Sequence, residues 1–140
     1  MPTNYKEELD ALIMHGLSEG ASDIHFAVGR YPTFRIMGEL VPLMNYRVLT
    51  ADDTTGFLNE LISQKFKDRF LENREVDFSF DFYGKGRFRG NVFFQKGAVG
   101  IVLRAIPTQV STLLELNLPP VLEMFTRKKQ GFFLVVGPVG

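Results

Sequence analysis

Apolar residues recur along the chain with a helical period in some stretches and a period of two in others, and the switches between them mark out its elements. From Tyr5 to Leu17, the residues Leu9, Leu12, Ile13 and Leu17 fall at helical spacing among charged positions, which predicts an amphipathic helix ended by Gly20. Ile24, Phe26 and Val28 then alternate with polar or small residues, as in a half-buried strand. His25 is thereby placed away from the apolar face. No second catalytic partner stands near it in sequence, so it reads as a surface histidine hydrogen-bonded to a neighbour. Gly29 and Pro32 mark a turn, after which 33–37 and 39–41, separated by Gly38, predict a hairpin.

Thr50-Ala51-Asp52-Asp53 has the form of a capping box with Asp in place of the usual Glu or Gln, and Phe57, Leu58, Leu61 and Ile62 continue it as a helical stripe. Phe66, Phe70 and Leu71 predict a further short helix before a turn at Glu72-Asn73, its aromatic residues serving as core rather than as a cofactor pocket. Between 76 and 82 the alternation of apolar and polar residues is unbroken, the pattern of a strand with one buried face. Asp77 and Asp81 lie on its polar face and read as solvated sheet charge rather than a glycosidase-like pair. Tyr83-Gly84-Lys85-Gly86 turns the chain into residues 87–107, two β-rich runs interrupted by Lys96-Gly97-Ala98. The last three strands are expected to form a meander.

In the first strand of this hairpin Phe88, Val92 and Phe94 share one face, while Arg87, Arg89 and Asn91 share the other. The turn decides where Arg104 goes. An even number of residues brings it to the face of Arg89, a two-residue turn at Lys96-Gly97 sets the two directly opposite, and three residues turn it away. Like charges opposed on a sheet repel, which suggests an anion between them; ordinary solvated arginines are the alternative.

Beyond Ile106-Pro107 the texture changes. Leu113, Leu114, Leu116 and Leu118 crowd a stretch closed by Pro119-Pro120, which predicts a domain boundary; Val121, Leu122 and Phe125 suit a short helix ended by Arg127-Lys128-Lys129. The apolar run 131–136 then predicts a strand buried in a parallel sheet. It leads into Gly137-Pro138-Val139-Gly140, which fits the first four positions of the phosphate-binding loop GxxxxGK[ST] and also fits a plain glycine-proline turn.

Composition narrows the field. In 140 residues, 45% hydrophobic and 13% aromatic content supports one substantial core. Sixteen basic residues balance sixteen acidic ones, so any anion site is local, and single-strand nucleic-acid binding through Arg87, Arg89 and Phe93 is disfavoured. No cysteine and only two histidines argue against a structural metal. Neither a secretory signal nor an apolar run of membrane-spanning length is visible, and a cytoplasmic location is the default expectation.

Taken in order, Ala21-Ser22-Asp23-Ile24-His25, Gly29, Pro32, Arg35, Gly38 and Leu40, then Glu75-Val76-Asp77-Phe78-Ser79, Arg87-Phe88-Arg89-Gly90-Asn91, Leu103-Arg104-Ala105-Ile106-Pro107, Leu116-Asn117-Leu118-Pro119 and the final glycine-rich stretch, the chain resembles the PilT-type pilus retraction ATPases. The resemblance covers nearly the whole chain. It implies an α+β, PAS-like amino-terminal domain with an antiparallel sheet and flanking helices (1–106), a linker (107–119) and the first helix and strand of a RecA-like domain (120–140). It further implies a homo-hexameric, ATP-driven motor for twitching motility, cytoplasmic and peripheral to the inner membrane, pulling through a membrane platform protein. Arg89 and Arg104, with Arg87 beside them, match positions that reach the nucleotide phosphates; Gly137 and Gly140 match the phosphate loop. No catalytic residue falls within these 140 residues, and Mg2+ would be held outside them, so this piece alone is expected to be inactive. Gly90 stands where the family usually has valine, which is expected to loosen the strand. Since residues 21–25 arrive early in the chain, retraction is favoured over the pilus-assembly and type II secretion branches. A PAS-like module binding an anion or a partner without catalysis is the alternative.

Overall fold

The helical stretches and the alternating ones segregate into two layers. The computed structural model of the chain describes residues 4–108 and 110–137. In order, α1 (Tyr5–Ser18), β1 (Asp23–Phe26), β2 (Thr33–Ile36), β3 (Glu39–Pro42), α2 (Ala51–Leu61), α3 (Gln64–Asn73), β4 (Glu75–Phe82), β5 (Gly86–Gln95) and β6 (Ala98–Ile106) form the first part, and α4 (Glu123–Thr126) follows a single 3-10 turn at Pro120–Leu122. The chain divides into two units after Thr108.

The first unit is an α+β fold in which one six-stranded sheet, ordered β3-β2-β1-β6-β5-β4, is antiparallel throughout. β4, β5 and β6 form the expected meander, and β2 and β3 the expected hairpin. Joining them is the pairing of β1 with β6, which brings Asp23 opposite Arg104 and Ile24 opposite Leu103. One face of this sheet packs against the helices in a single cluster that includes Leu12 of α1, Phe57 of α2, Phe70 of α3 and the strand residues Phe26, Phe34, Phe88 and Val92. The Thr50 capping box forms as the sequence implies: the Thr50 amide donates to Asp53 Oδ2 at 2.7 Å and the Asp53 amide donates to Thr50 Oγ1 at 3.3 Å. Arg47 donates to Asp53 and to Glu8, linking this cap to α1.

Three expectations are corrected. The turn after α3 comes later than Glu72-Asn73, because Asn73 still belongs to the helix and Arg74 terminates it in the left-handed region at φ 61°. Gly90 does not loosen β5. It pairs with Phe78 on one side and Leu103 on the other without interruption, and the Phe78 ring lies over the glycine where any Cβ would be. The aromatic ring supplies the bulk that the missing side chain would have given.

In the second unit, residues 131–137 have no regular structure, and Phe132, Leu134, Val135 and Val136 are exposed rather than buried in a strand. A parallel strand exists only through hydrogen bonds to its neighbours, and among the described residues of this unit no strand is present to supply them.

Candidate functional site

The β5–β6 turn consists of Lys96 and Gly97 alone, since Gln95 pairs with Ala98. Both turn residues have positive φ, 52° and 80°, as the tight hairpin turn matched to strand twist requires. Counting back from this turn places Arg104 directly opposite Arg89, on the face away from the helices. The register continues across the sheet, so that Arg35, Asp23, Arg104, Arg89 and Ser79 form one row through β2, β1, β6, β5 and β4. Three guanidinium groups and one carboxylate thus stand side by side. Arg87 lies on the same face of β5, opposite Asp81 on β4 and Ile106 on β6.

Repulsion within this row is relieved at its centre. Asp23 is 3% exposed, and its carboxylate accepts from Arg104 Nε at 2.8 Å and from Ser22 Oγ at 2.9 Å, with Arg35 Nε 3.4 Å away. Burial alone would push its pKa up, but the hydrogen bonds from Arg104 and Ser22 and the charge of Arg104 outweigh it and hold the carboxyl below its ordinary value. Among the described residues neither Arg87 nor Arg89 is ion-paired. Arg89, Gly90, Asn91, Val102, Arg104 and Asp77 line a shallow depression of about 290 Å³. Asn91 Nδ2 donates to Glu75 at 3.0 Å and to Asp77 at 3.2 Å, so these two β4 carboxylates are engaged by a neutral group rather than by the arginines.

His25 is on this face too, but the expected hydrogen bond is not made: its Nε2 is buried and has no partner among the described residues. The register explains why. His25 is flanked by Val102, which has no polar side-chain atom, and by Thr33, whose hydroxyl donates to the Tyr31 carbonyl. Burial lowers the His25 pKa, the Asp23 charge opposes this, and Arg35 and Arg104 add to it.

Of the residues singled out in the sequence, Arg87, Arg89 and Arg104 come together on one face. Gly137 belongs to the second unit, in irregular backbone, and Gly140 lies outside the described residues. The sequence by itself gives Asp23 and Arg35 no part in the site. Period-two alternation puts Asp23 on the polar face of β1, but its pairing with Arg104 spans 81 residues and leaves no local trace.

Comparison with known proteins places the chain. No family model matches it. It is 34% identical over 136 residues to the type IV pilus ATPase PilU of Pseudomonas aeruginosa, an alignment covering 95% of this chain and 35% of PilU. To the type IV pilus retraction ATPase PilT of the same organism it is 33% identical over 133 residues, covering 95% of this chain and 38% of PilT. A crystal structure of the pilus retraction motor PilT with bound ADP superposes with a TM-score of 0.72 at 37% identity, over 85% of this chain and 35% of that one. The chain therefore spans little more than a third of the length of these relatives. Its six-stranded antiparallel sheet with flanking helices is that of their amino-terminal domain. Over nearly its whole length the chain is similar to the amino-terminal part of the PilT-type pilus ATPases.

Proposed function

We propose that this chain is the nucleotide-contacting amino-terminal part of a homo-hexameric, ATP-driven motor that powers type IV pilus retraction. In this reading Arg89 and Arg104 grip the phosphates of ATP, with Arg87 beside them. The observation that carries it is the direct opposition of Arg89 and Arg104 on the open face of the sheet. Their chemistry fits a polyphosphate. Arg89 has no carboxylate partner among the described residues, and the one side-chain hydrogen bond of Arg104 there uses Nε, which leaves its two terminal amino groups to donate. A guanidinium is charged at every relevant pH and binds two oxygens at once, so the pair can sense whether a terminal phosphate is present.

The remainder of the reading extends the likeness to PilT and PilU. Residues 1–106 are the PAS-like domain, 107–119 a linker and 120–140 the start of a RecA-like domain whose phosphate loop includes Gly137 and Gly140. Mg2+ and the attacking water are handled by residues outside these 140, and the motor works from the cytoplasm against an inner-membrane platform protein. The test is Arg104→Ala and Arg89→Ala in the complete ATPase. Each is expected to lower ATP turnover by about tenfold or more, as removing a transition-state arginine does, with the circular dichroism spectrum unchanged. Turnover equal to wild type in both variants would remove the pair from the site.

A further inference from the structure

The motif at residues 21–25 has no task in the function proposed above. Its Asp23 occupies the middle of the arginine row, between Arg35 of β2 and Arg104 of β6. Its two partners are held differently. Arg35 is anchored a second time, donating from Nη1 to the Gly38 carbonyl at 2.8 Å in the β2–β3 turn, whereas the Arg104 side chain is 71% exposed and, among the described residues, tied only through Nε. Arg35 and Ser22 therefore fix the carboxylate, and the carboxylate fixes Arg104 at its inner nitrogen.

We infer that Asp23 is a positioning residue that orients the Arg104 guanidinium in advance of polyphosphate binding, leaving its terminal amino groups to the ligand. This rests on the reading of Arg104 as a phosphate contact. An exposed arginine that samples many rotamers loses that freedom when it binds, and one already tethered loses less. Arg89, which is not ion-paired among the described residues, has no comparable tether. Of the opposed pair, Arg104 is thus preorganised and Arg89 adaptable. A purely electrostatic role for Asp23 makes the opposite forecast, because deleting a carboxylate beside an anion site strengthens anion binding.

The experiment is a titration of inorganic tripolyphosphate into this chain by NMR, following the backbone amide resonances of β1, β5 and β6 for wild type, Arg104→Ala, Asp23→Ala and Asp23→Asn, and the Arg104 Nε–H resonance in the three that retain Arg104. Arg104→Ala is expected to weaken binding about tenfold, the scale of a lost charged hydrogen bond. Asp23→Ala is expected to weaken it about fivefold through lost preorganisation and to speed exchange of the Arg104 Nε–H with water. Asp23→Asn keeps an acceptor oxygen and the side-chain shape, so it should fall between wild type and Asp23→Ala, and it keeps the test decisive if Asp23→Ala does not fold. Both variants remove the same charge, so their difference isolates the acceptor. If Arg104→Ala weakens binding while the Asp23 variants leave it unchanged or tighten it, the positioning role is overturned and the phosphate reading survives. If wild type does not bind saturably, or Arg104→Ala binds as well as wild type, the phosphate reading fails and the positioning role falls with it.

Discussion

On the face of the sheet that meets the helices, Phe34, Phe88 and Leu103 are no more than 1% exposed, while the opposite face of the same strands carries Arg35, Arg89 and Arg104, with Asp23 of β1 among them. The inner face is governed by volume, because close-packed side chains register the loss or gain of a single methylene. The outer face is governed by charge balance and tolerates truncation of exposed groups, because water replaces what is removed. Stability and ligand recognition are thus assigned to opposite sides of one element, and substitutions should separate them.

The largest effect should come from Phe34→Ala, which empties a fully buried position at the centre of the cluster. A loss of about 3–5 kcal/mol is expected in urea unfolding, and a loss below 1 kcal/mol would show that the inner face is not packed to that degree. Next is Gly90→Val, which drives a side chain into the Phe78 ring. It should cost about 1–3 kcal/mol, and Phe78→Val in the same chain should recover part of that. Equal costs with and without the second change would mean that the ring is not what excludes valine.

A smaller effect concerns pH. The folded pKa of His25 lies below its ordinary value of 6.5, so the unfolded chain takes up that proton first and stability falls as pH drops from 6.5 toward the lower folded value. Asp23, also depressed, contributes stability that is complete above its ordinary 3.8 and is lost as pH falls through its lower folded value. His25→Asn should flatten the first slope and leave the second, as read by denaturant titrations at stepped pH. A first slope that survives the substitution would assign it to another group. Smallest of all, Arg89→Ala should change stability by less than about 0.5 kcal/mol, since the residue is exposed and has no ion pair among the described residues, even where it abolishes phosphate contact. A loss of several kcal/mol would collapse the distinction between the two faces.

Much of the first unit was legible because each element carries its own period. The Leu9–Leu12–Ile13 stripe, the Thr50 box and the 76–82 alternation are local signals, and all three form as read. The meeting of Arg89 and Arg104 was legible up to one unknown, the turn length, which Lys96 and Gly97 resolve by both adopting positive φ. What stayed hidden depends on which strands become neighbours. The tether of Arg104 to Asp23 and the lack of a partner for His25 Nε2 among the described residues follow from the pairing of β1 with β2 and β6, which no window of a few residues contains. The run 131–136 failed for a related reason. Its composition specifies a strand surrounded by others, and composition cannot provide the surroundings.

The pairing of β1 with β6 also bears on how fast the chain folds. Both hairpin systems can close through short loops, but the seam between them must gather segments some eighty positions apart, as the 81-residue separation of Asp23 and Arg104 records. Such distant closure is entropically expensive and sets slow rates in small domains. The carboxylate at the heart of the open face therefore sits on the contact whose formation time limits how soon a newly made chain acquires its sheet.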